Sequence, residues 1–389
     1  MKLLLIITDY GSFNNFLIEL AAAISLKTNI QLQIICSKSK IINIPSNKVL
    51  DGVKFHFVNI PRKITIFGEL KAAKAIKKII DDEKPDLIHS HFTTATFPTL
   101  IFKNSGIKYW ATFHGLGMNA SFGLKKVIFS FVELFCFSKL NKIFTINTQD
   151  NRLVKKYFYE KQISLNSRGV GCDINRFNEK NIFCFTRSEI RSKYQIKEHH
   201  LVITFVGRFV SFKGFHLVIK AFNKLNKLYP DRFKLLLIGG VDPIHLTGLN
   251  NVESSFLNNS EDIINIGFTN SVEQYLAITN IFLFPSKKEG LPTCVLEALS
   301  MGVPVITFDT RGNNDIIKHG YNGLLLKPDK KISTNVKNIV GALEWMKLNP
   351  GKRQLLKNNA LSHRNEYSRD NFVNEQLKYY LEFQKNGTR

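Results

Sequence analysis

The segment IFLFPSKKEGLPTCVLEALSMGVPV (residues 281–305) decides the fold, because it contains a complete unit of strand, loop and helix. Its first residues form a short apolar run that is typical of a buried strand, and VLEAL has the composition of a helix. Pro292 suits the first helical turn, and Gly302 and Pro304 end the helix before a second apolar run. This order predicts parallel strands that are joined by a covering helix.

The same alternation runs along the rest of the chain and predicts an α/β fold with two doubly wound units. We expect the first unit at residues 1–180 and the second at 181–368, with a closing helix at 369–389 that packs back on the first. Ligands of such sheets bind at the carboxyl ends of the strands, so two units imply a cleft lined by strand-end loops. The predicted strands are 3–8, 32–36, 53–58, 86–91, 108–114 and 142–146, then 201–207, 234–240, 263–267, 281–285, 303–308 and 322–326.

The chain is strongly basic, with 54 lysines and arginines against 31 acidic residues among 389, and a formal net charge of +23. This charge favours polyanionic partners, which include nucleic acid, an anionic membrane and phosphorylated substrates. Because the excess is diffuse and no aromatic residues are interleaved with it in a recognisable module, nucleic-acid binding is not favoured.

Cysteine usage and hydropathy restrict the class of protein further. The five cysteines form no CxxC pair, which argues against a disulfide framework or a zinc site and fits a reducing compartment. The apolar run at residues 3–8 is short for a signal peptide, and no stretch approaches the ~20 apolar residues of a membrane span.

Two glutamates flank the predicted helix start, Glu289 in the loop and Glu297 two turns into the helix. The free N–H groups and the positive dipole end of that helix favour a bound anion between the two acids. Carboxylates on either side of a phosphate accept hydrogen bonds from hydroxyls, and this arrangement matches a sugar nucleotide. Both acids are equally typical of a solvated helix start, so the pair alone leaves both interpretations open.

Three more strand ends carry candidate residues. Arg208 and Lys213 follow the strand at 201–207 and are suited to a diphosphate, although ordinary loops also carry such residues. His114 follows the strand at 108–114 and is either a sugar-binding group or a structural histidine. Gly11 follows the first strand, where it either lets the backbone approach a phosphate or acceptor, or forms a tight turn.

The segment 124–139, LKKVIFSFVELFCFSK, is apolar with lysines at both ends and is too short to span a bilayer. It is either a buried core helix or a helix that lies in the membrane interface with its lysines on anionic head groups. Its four phenylalanines distribute around the helix, and this distribution favours burial.

Taken together, these motifs resemble family 4 of the retaining glycosyltransferases, which have the GT-B fold of two Rossmann-like domains facing across a cleft. The resemblance is carried by Glu-x7-Glu (289–297), G-R-x4-K-G (207–214) and F-H-G (113–115), together with GVGCDINRF (169–177) and GYNGLLL (320–326). It covers most of the chain.

The resemblance implies a role for each candidate residue. Glu289 is expected to hold the donor sugar with the backbone of Gly290 and Leu291, and Glu297 to hold the ribose. His114 approaches the transferred sugar and Gly11 faces the phosphates or the acceptor. The diphosphate is held by Arg208, Lys213 and the helix start at Thr293 and Cys294. In such enzymes these groups replace a metal ion, so neither a metal nor another cofactor is expected, and transfer retains the anomeric configuration.

Within the family, TINTQDNRLVKK (145–156) and DTRGNNDIIKHGYNGLLL (309–326) are similar to enzymes that extend undecaprenyl-diphosphate-linked saccharides of bacterial capsule and O-antigen. The branch implies a UDP-sugar donor, often a hexose or N-acetylhexosamine, and a lipid-diphosphate-linked saccharide acceptor. It also implies a cytoplasmic protein that is peripheral on the anionic inner face of the plasma membrane. The alternatives are an epimerase of sugar nucleotides or a sugar phosphorylase with the same fold.

Overall fold

A computed structural model describes residues 1–39, 50, 52–62, 64–243 and 245–387. The chain forms two compact units, the first from Met1–Val170 and Asp370–Arg389 and the second from Gly171–Arg369. The expected boundary at residue 180 therefore falls inside the second unit. The backbone of Cys172 explains the shift, because its N–H bonds to the carbonyl of Tyr367 at 2.8 Å and its carbonyl accepts from Arg369 at 2.9 Å.

The first unit contains a seven-stranded parallel sheet in the order β3-β2-β1-β4-β5-β6-β7. Its last helix continues to Gly387, and residues 388–389 of the expected closing helix lie outside the described residues. The strands are β1 (Lys2–Asp9), β2 (Gln31–Ser37), β3 (Lys54–Phe57), β4 (Leu87–His91), β5 (Lys108–Phe113), β6 (Lys142–Thr145) and β7 (Gln162–Ser164). The helices are α1 (Tyr10–Phe16), α2 (Ile18–Lys27), α3 (Ile66–Glu83), α4 (Thr93–Ile101), α5 (Gly117–Ala120), α6 (Gly123–Lys139) and α7 (Thr148–Tyr157), with α16 (Arg369–Gly387) at the end of the chain.

Alternate residues of β1 pack into two separate cores, one on each face of the sheet. Leu3, Leu5 and Ile7 belong to one core, whereas Leu4 and Ile6 belong to the other. This explains why β1 is apolar without interruption, since a parallel strand with helices on both faces has no solvated side. Helix α16 contributes to the first core, where Tyr380 stacks on Trp110 with ring centroids 5.9 Å apart.

The second unit contains a six-stranded parallel sheet in the order β10-β9-β8-β11-β12-β13. None of the helices described in either unit is both long and apolar enough to cross a membrane. The strands are β8 (Leu201–Val206), β9 (Phe233–Ile238), β10 (Ile263–Gly267), β11 (Ile281–Phe284), β12 (Val305–Phe308) and β13 (Gly323–Leu326). The helices are α8 (Cys184–Lys193), α9 (Phe215–Leu228), α10 (Asn251–Asn259), α11 (Val272–Leu276), α12 (Thr293–Ser300), α13 (Asn313–Ile316), α14 (Ile332–Leu348) and α15 (Pro350–Ser362).

Several candidate residues follow the strands at which the strand order of each sheet reverses. In the second unit, β8 and β11 are neighbours although two strands separate them in the chain. The loops after these strands carry Lys213 and Glu289, so both side chains lie at the switch point where open α/β sheets bind ligands. In the first unit, β1 and β4 form the corresponding pair.

Candidate active site

Glu289 lies in the loop between β11 and α12, and its carboxylate is held by two side chains. Lys213 Nζ donates to Glu289 Oε1 at 2.9 Å, and Ser286 Oγ donates to the same oxygen at 2.7 Å. Lys213 follows β8, so the ion pair joins the loops of two adjacent strands. It is largely buried, and the Lys213 ammonium also lies 4.9 Å from the centroid of the Phe284 ring.

Two glycines allow the backbone around this pair to pack closely. Gly214 has φ +77°, and a Cβ there would lie 2.2 Å from the carbonyl oxygen of Pro285. Gly312 has φ +82°, and a Cβ there would lie 2.4 Å from the carbonyl oxygen of Gly290. Because both positions combine positive φ with backbone contact, only glycine fits without displacing the loop that carries Glu289.

Arg311 also supports this loop, since its Nε donates to the backbone carbonyl of Glu289 at 2.9 Å. Sequence analysis missed Arg311 and Ser286 as members of the site. A signal exists for both, because Ser286 comes directly after the strand-ending Pro285 and Arg311 follows β12, the next strand in the sheet.

Helix α12 begins at Thr293, with Pro292 as the residue before it and no side-chain hydrogen bond capping the start. Gly290 and Leu291 lie in the loop directly before it, and Leu291 packs on the core of the unit. The thiol of Cys294 lies in the first turn, and burial raises its pKa. The charges of Lys213, Glu289 and Glu297 also affect the pKa of this thiol, so the start of α12 lies close to all three side chains.

Glu297 is half-buried in the middle of α12. Burial raises the pKa of its carboxyl to about 7, while the positive charges of Arg369 and Arg176 act in the opposite direction. No hydrogen bond from another described residue reaches this carboxylate. Glu297 is therefore a carboxyl that changes charge near neutral pH and has its hydrogen-bonding capacity available for a ligand.

Arg208 lies further out than the other candidates of the second unit. Its guanidinium forms an ion pair with Asp242 and lies 5.5 Å from the centroid of the Phe212 ring. Half of the side chain is exposed. In this structure Arg208 is thus directed towards Asp242, while Lys213 contacts Glu289.

Gly11 is the second residue of α1, so the turn considered from the sequence is the start of a helix. Asp9 caps this helix, since its Oδ1 accepts from the backbone N–H of Ser12 at 2.9 Å. Its other carboxylate oxygen accepts from Arg62 Nη2 at 2.9 Å. The start of α1 therefore presents N–H groups next to an Asp9–Arg62 pair that sequence analysis did not identify.

His114 follows β5 and is buried, and burial lowers its pKa to about 3. Its Nε2 lies 3.0 Å from Nδ1 of His91, and its ring lies 4.4 Å from that of Phe92. The remaining nitrogens, Nδ1 of His114 and Nε2 of His91, have no partner among the described residues.

Phe92 has φ +71° and ψ 150°, a conformation that is strained for a residue with a side chain. Its amide donates to the carbonyl of Thr112, and its carbonyl accepts the first bonds of α4. Such strain persists only where the surrounding structure enforces it, and it is often found at functional sites.

Helix α6 contains the segment 124–139, and its exposure differs from the burial that the sequence favoured. Val132, Glu133, Cys136 and Phe137 face the core, but the opposite side of the helix is apolar and exposed. Because α6 is apolar on both sides, burying one side leaves apolar residues of the other side in solvent. The spread of phenylalanines around the helix therefore did not imply full burial. The exposed apolar residues, including the one that precedes the helix, are Phe122 (89%), Leu124 (76%), Val127 (64%), Ile128 (43%), Phe131 (73%) and Leu134 (40%).

Two buried carboxyls of the first unit, Glu133 on α6 and Glu69 on α3, have opposite surroundings. Glu133 accepts from Thr93 Oγ1 and from the amides of Gly117 and Met118 at 2.7–3.0 Å. Glu69, in the first turn of α3, is 2% exposed, and neither of its oxygens has a hydrogen-bond partner among the residues that the structure describes. Burial raises the pKa of Glu69 to about 7, so this group costs stability wherever it is ionised.

Within the described part of the chain, His199, His200 and Asp231 form the one group of three possible metal ligands. Nδ1 of His200 accepts from the amide of Lys197, so its Nε2 carries the proton that it donates to Asp231 Oδ1 at 2.8 Å. These residues precede β8 and β9, at the amino edge of the sheet. The group is therefore separate from the strand-end loops that carry Lys213 and Glu289.

Two family models match the chain. Residues 186–363 match the family described as "Glycosyl transferases group 1", and residues 2–147 match "Glycosyl transferase 4-like". Together they include most of the residues of both units.

The chain is also similar to characterised relatives. It is 23% identical to an Escherichia coli UDP-Gal:alpha-D-GlcNAc-diphosphoundecaprenol alpha-1,3-galactosyltransferase, over 71% of this chain and 72% of the relative. It is 24% identical to the capsular polysaccharide biosynthesis glycosyltransferase CapM of Staphylococcus aureus, over 81% of each chain. The epimerase, phosphorylase and nucleic-acid-binding alternatives receive no support from these matches.

Solved structures give the same fold at low sequence identity. Sucrose-phosphate synthase from Thermosynechococcus elongatus superimposes with a TM-score of 0.80 at 15% identity, covering 99% of this chain and 100% of the other. Anabaena HepE in complex with UDP gives 0.77 at 15% identity, covering 98% and 100%. Each unit contains a parallel Rossmann-like sheet and matches one of the two family models. The chain is therefore a glycosyltransferase of the GT-B fold, with a 4-like domain in its first unit and a group 1 domain in its second.

Proposed function

We propose that this glycosyltransferase moves a hexose or N-acetylhexosamine from a UDP-sugar to a lipid-diphosphate-linked saccharide in bacterial surface polysaccharide synthesis. The observation that carries the donor site is the Lys213–Glu289 pair of 2.9 Å beside the uncapped start of α12. The acceptor class follows from the similarity to the diphosphoundecaprenol galactosyltransferase and to CapM.

The start of α12 and Lys213 supply the positive potential for the donor's diphosphate. Backbone N–H groups at Thr293 and Cys294 point out of the helix and favour an anion. An ammonium has three donors, so Lys213 binds a phosphate oxygen while it keeps its bond to Glu289. Arg208, which pairs with Asp242 in the unliganded chain, adds a second cation once the diphosphate competes for it.

Glu289 and Glu297 accept hydrogen bonds from the hydroxyls on the two sides of that diphosphate. Lys213 and Ser286 already hold one oxygen of Glu289, so Oε2 is the oxygen that we assign to the donor sugar. Glu297 has no partner among the described residues and accepts from the ribose. A planar carboxylate receives two neighbouring hydroxyls, which matches the ribose 2′ and 3′ positions.

We further propose that transfer retains configuration and needs no metal ion. The carboxylate of Glu289 is bound to a cation and a hydroxyl, so it is a poor nucleophile, and its role is to orient the sugar and to stabilise positive charge as the bond to the phosphate breaks. The departing phosphate oxygen accepts the proton of the acceptor hydroxyl on the same face of the sugar. We assign His114, directly after β5 in the first unit, to the binding of a sugar hydroxyl.

A panel of UDP-, GDP- and ADP-sugars tests the donor by thermal shift, because a bound donor stabilises the fold by mass action. We expect UDP-sugars to raise the melting temperature and the other nucleotides to leave it unchanged. Lys213→Met should abolish this shift and the transfer reaction, whereas Lys287→Met, at an exposed lysine of the loop that carries Glu289, should keep both. A full UDP-sugar response in Lys213→Met, or transfer that EDTA stops, would contradict the proposed site.

The membrane interface is the proposed site of action, and the exposed stripe of α6 is the surface that we assign to it. Its apolar side chains are next to the exposed Lys125 and Lys126, a pairing that suits acyl chains beneath anionic head groups. The lipid-linked acceptor would then reach the first unit from the inner face of the plasma membrane.

Co-sedimentation with vesicles of phosphatidylglycerol and phosphatidylcholine tests this surface. Phe131→Ser should weaken binding to anionic vesicles about 10- to 100-fold, because the burial of a phenylalanine in lipid is worth roughly 1.5–3 kcal/mol. Phe183→Ser removes a phenylalanine of similar exposure from the second unit and should have no effect. Equal binding by the two variants would exclude α6 as the docking surface.

A further inference from the structure

A cavity of about 690 Å³ opens at the edge of the sheet in the second unit. Its walls are the edge strand β13, one face of α14 and the first two turns of α15. Small-molecule sites in proteins have volumes of about 300–1,000 Å³, so this cavity is large enough to hold a ligand. None of the residues that we assigned to the donor site lines it.

Apolar side chains form much of the lining. Leu324 and Leu326 of β13 are two positions apart and therefore lie on the same face of the strand. Trp345 of α14 and Leu355 of α15 line the same cavity, and both are exposed. An apolar ligand would remove these side chains from water, and the hydrophobic effect would favour its binding.

Gly341 leaves the cavity open on the side of α14. It lies between Lys337 and Trp345 on one face of the helix, because the three residues are spaced by four positions. A glycine inside a helix is less stable than an alanine. Neither a positive φ nor a close contact accounts for this glycine, since a Cβ there would have no atom within 4 Å. The glycine therefore provides space, which a larger side chain would fill.

The ionisable residues that line the cavity, among those described, are all basic. Lys337 and Lys352 form no ion pair with another described residue. His319 accepts from the amide of Leu325 through Nδ1 at 3.1 Å, so its Nε2 is a hydrogen-bond donor. Glu344, the one acid of α14, is not among the lining residues. The cavity is therefore suited to an anion.

The edge of β13 is closed to a further strand by the turn that precedes it. The amide of Leu325 is bound by His319, and the carbonyl of Gly323 accepts from the amide of Gly320 at 2.9 Å. A strand that adds to a sheet needs these backbone groups to be free. The occupant should therefore be a ligand that contacts side chains, and not a strand of a partner protein.

We infer that this cavity binds an amphipathic anion, a molecule with one apolar chain or ring system and one carboxylate, sulfonate or phosphate group. The apolar part fills the space beside Gly341 and contacts Trp345, and the acidic group pairs with Lys337 and Lys352. A free amphiphile and an anionic lipid both have this chemistry. The inference does not depend on glycosyl transfer, so its test needs no sugar substrate.

Trp345 reports on the cavity directly, because the chain has two tryptophans and Trp110 lies in the core of the first unit. In a Trp110→Phe background we would titrate decanoate and decyltrimethylammonium, which have the same chain and opposite charges, below their micellar concentrations. We expect a saturable shift of the Trp345 emission with decanoate. Affinity for the cation should be about tenfold lower, because two attractive surface pairs become repulsive.

Gly341→Leu places a side chain in the cavity and should abolish the response to decanoate, and it should keep the fold because leucine is a good helix former. Gly351→Leu is the matched control, since Gly351 is a helical glycine of α15 with open space at its Cβ that does not line the cavity. It should keep the original affinity. A decanoate response that persists in Gly341→Leu, or equal affinities for the two head groups, would overturn the inference.

Vesicles of phosphatidylglycerol and phosphatidylcholine, added in place of decanoate, distinguish the two sources of the anion. A Trp345 shift with vesicles that Gly341→Leu abolishes would identify a lipid, and a shift with decanoate alone would identify a free amphiphile. A Trp345 emission that responds to neither would overturn the site. Transfer activity enters none of these measurements, so the proposed function can fail while this inference holds, and the reverse.

Discussion

Glu297 predicts how donor binding depends on pH. Its folded-state pKa is about 7, so about one-tenth of the carboxyl is ionised at pH 6 and about nine-tenths at pH 8. In the proposed donor site, ribose hydroxyls donate to this carboxylate and stabilise its ionised form, so binding releases a proton wherever the free site is protonated. Affinity for the nucleotide sugar should therefore rise about tenfold from pH 6 to pH 8 and level off above pH 8.

Glu297→Gln removes the titration. A glutamine accepts with only one oxygen and without charge, and hydrogen bonds to a charged group are worth about 1.5–3 kcal/mol. We expect the variant to bind about 10- to 100-fold more weakly than the wild type at pH 8, and this difference to shrink about tenfold at pH 6. Its affinity should be the same at both values.

Isothermal titration at constant ionic strength, with the nucleotide sugar that binds in the thermal-shift panel, measures this dependence. The donor's diphosphate is esterified at both ends and does not titrate between pH 6 and 8, so the protein alone provides the signal. Glu189→Gln, an exposed carboxyl on α8, makes the same charge change and should keep the wild-type profile. A wild-type affinity that stays within about twofold across this range, or a Glu297→Gln variant that binds normally at pH 8, would refute the role given to Glu297.

Two stability predictions follow from the same kind of reasoning. The pKa of Glu69 is raised from 4.5 to about 7, so the folded state holds a proton that the unfolded state releases, and stability should fall as pH rises through this window. Glu69→Gln should therefore raise the free energy of unfolding of the first unit by about 3 kcal/mol at pH 8 and leave it unchanged at pH 4.5. Trp110 fluorescence in a Trp345→Phe background measures this, because it reports on the first unit alone. Equal stabilisation at both pH values would contradict a buried charge at Glu69. Gly214→Ala should destabilise the second unit by more than about 1 kcal/mol in calorimetry, because its Cβ would contact the carbonyl of Pro285. Gly341→Ala lies inside α14 with open space at its Cβ and should stabilise the unit by about 0.5–1 kcal/mol. Equal effects of the two variants would contradict the close contact at Gly214.

The two-unit α/β fold was predictable because strand and helix alternate with apolar runs that nothing interrupts. The prediction is confirmed, including the strand at 281–284 and the helix that begins at Thr293. Strand β7 was not predicted, because it has only three residues, two of them polar, and so shows no alternation of apolar and polar positions. It lies at the edge of the sheet. The boundary between the two units at Gly171 could not be predicted from the sequence either, because it depends on backbone hydrogen bonds between Cys172 and residues near the end of the chain.

The candidate site residues could be named from the sequence, but the side chains that they contact could not. Lys213 and Glu289 lie 76 positions apart, and only the adjacency of β8 and β11 brings them within 2.9 Å. The contact between His91 and His114 likewise depends on β4 and β5 being neighbours. Helix α6 was predictable as a helix, but which of its two apolar stripes is exposed is a property of the packing around it.

The Lys213–Glu289 pair also gives a reason why so basic a chain has an acid at its proposed donor site. A lone ammonium beside a helix start would attract any phosphate in the cell, and its burial without a partner would be costly. Glu289 supplies the counter-charge, so the unliganded pair is neutral and has one carboxylate oxygen and two ammonium protons left over. A ligand gains most when it offers an anion to Lys213 and a hydroxyl to Glu289 at once, because either group alone leaves the other half of the pair poorly matched. We therefore expect free inorganic phosphate to bind much more weakly than a sugar diphosphate. Glu289→Gln should reduce this difference in affinity, because it improves the binding of phosphate and weakens the binding of the sugar diphosphate.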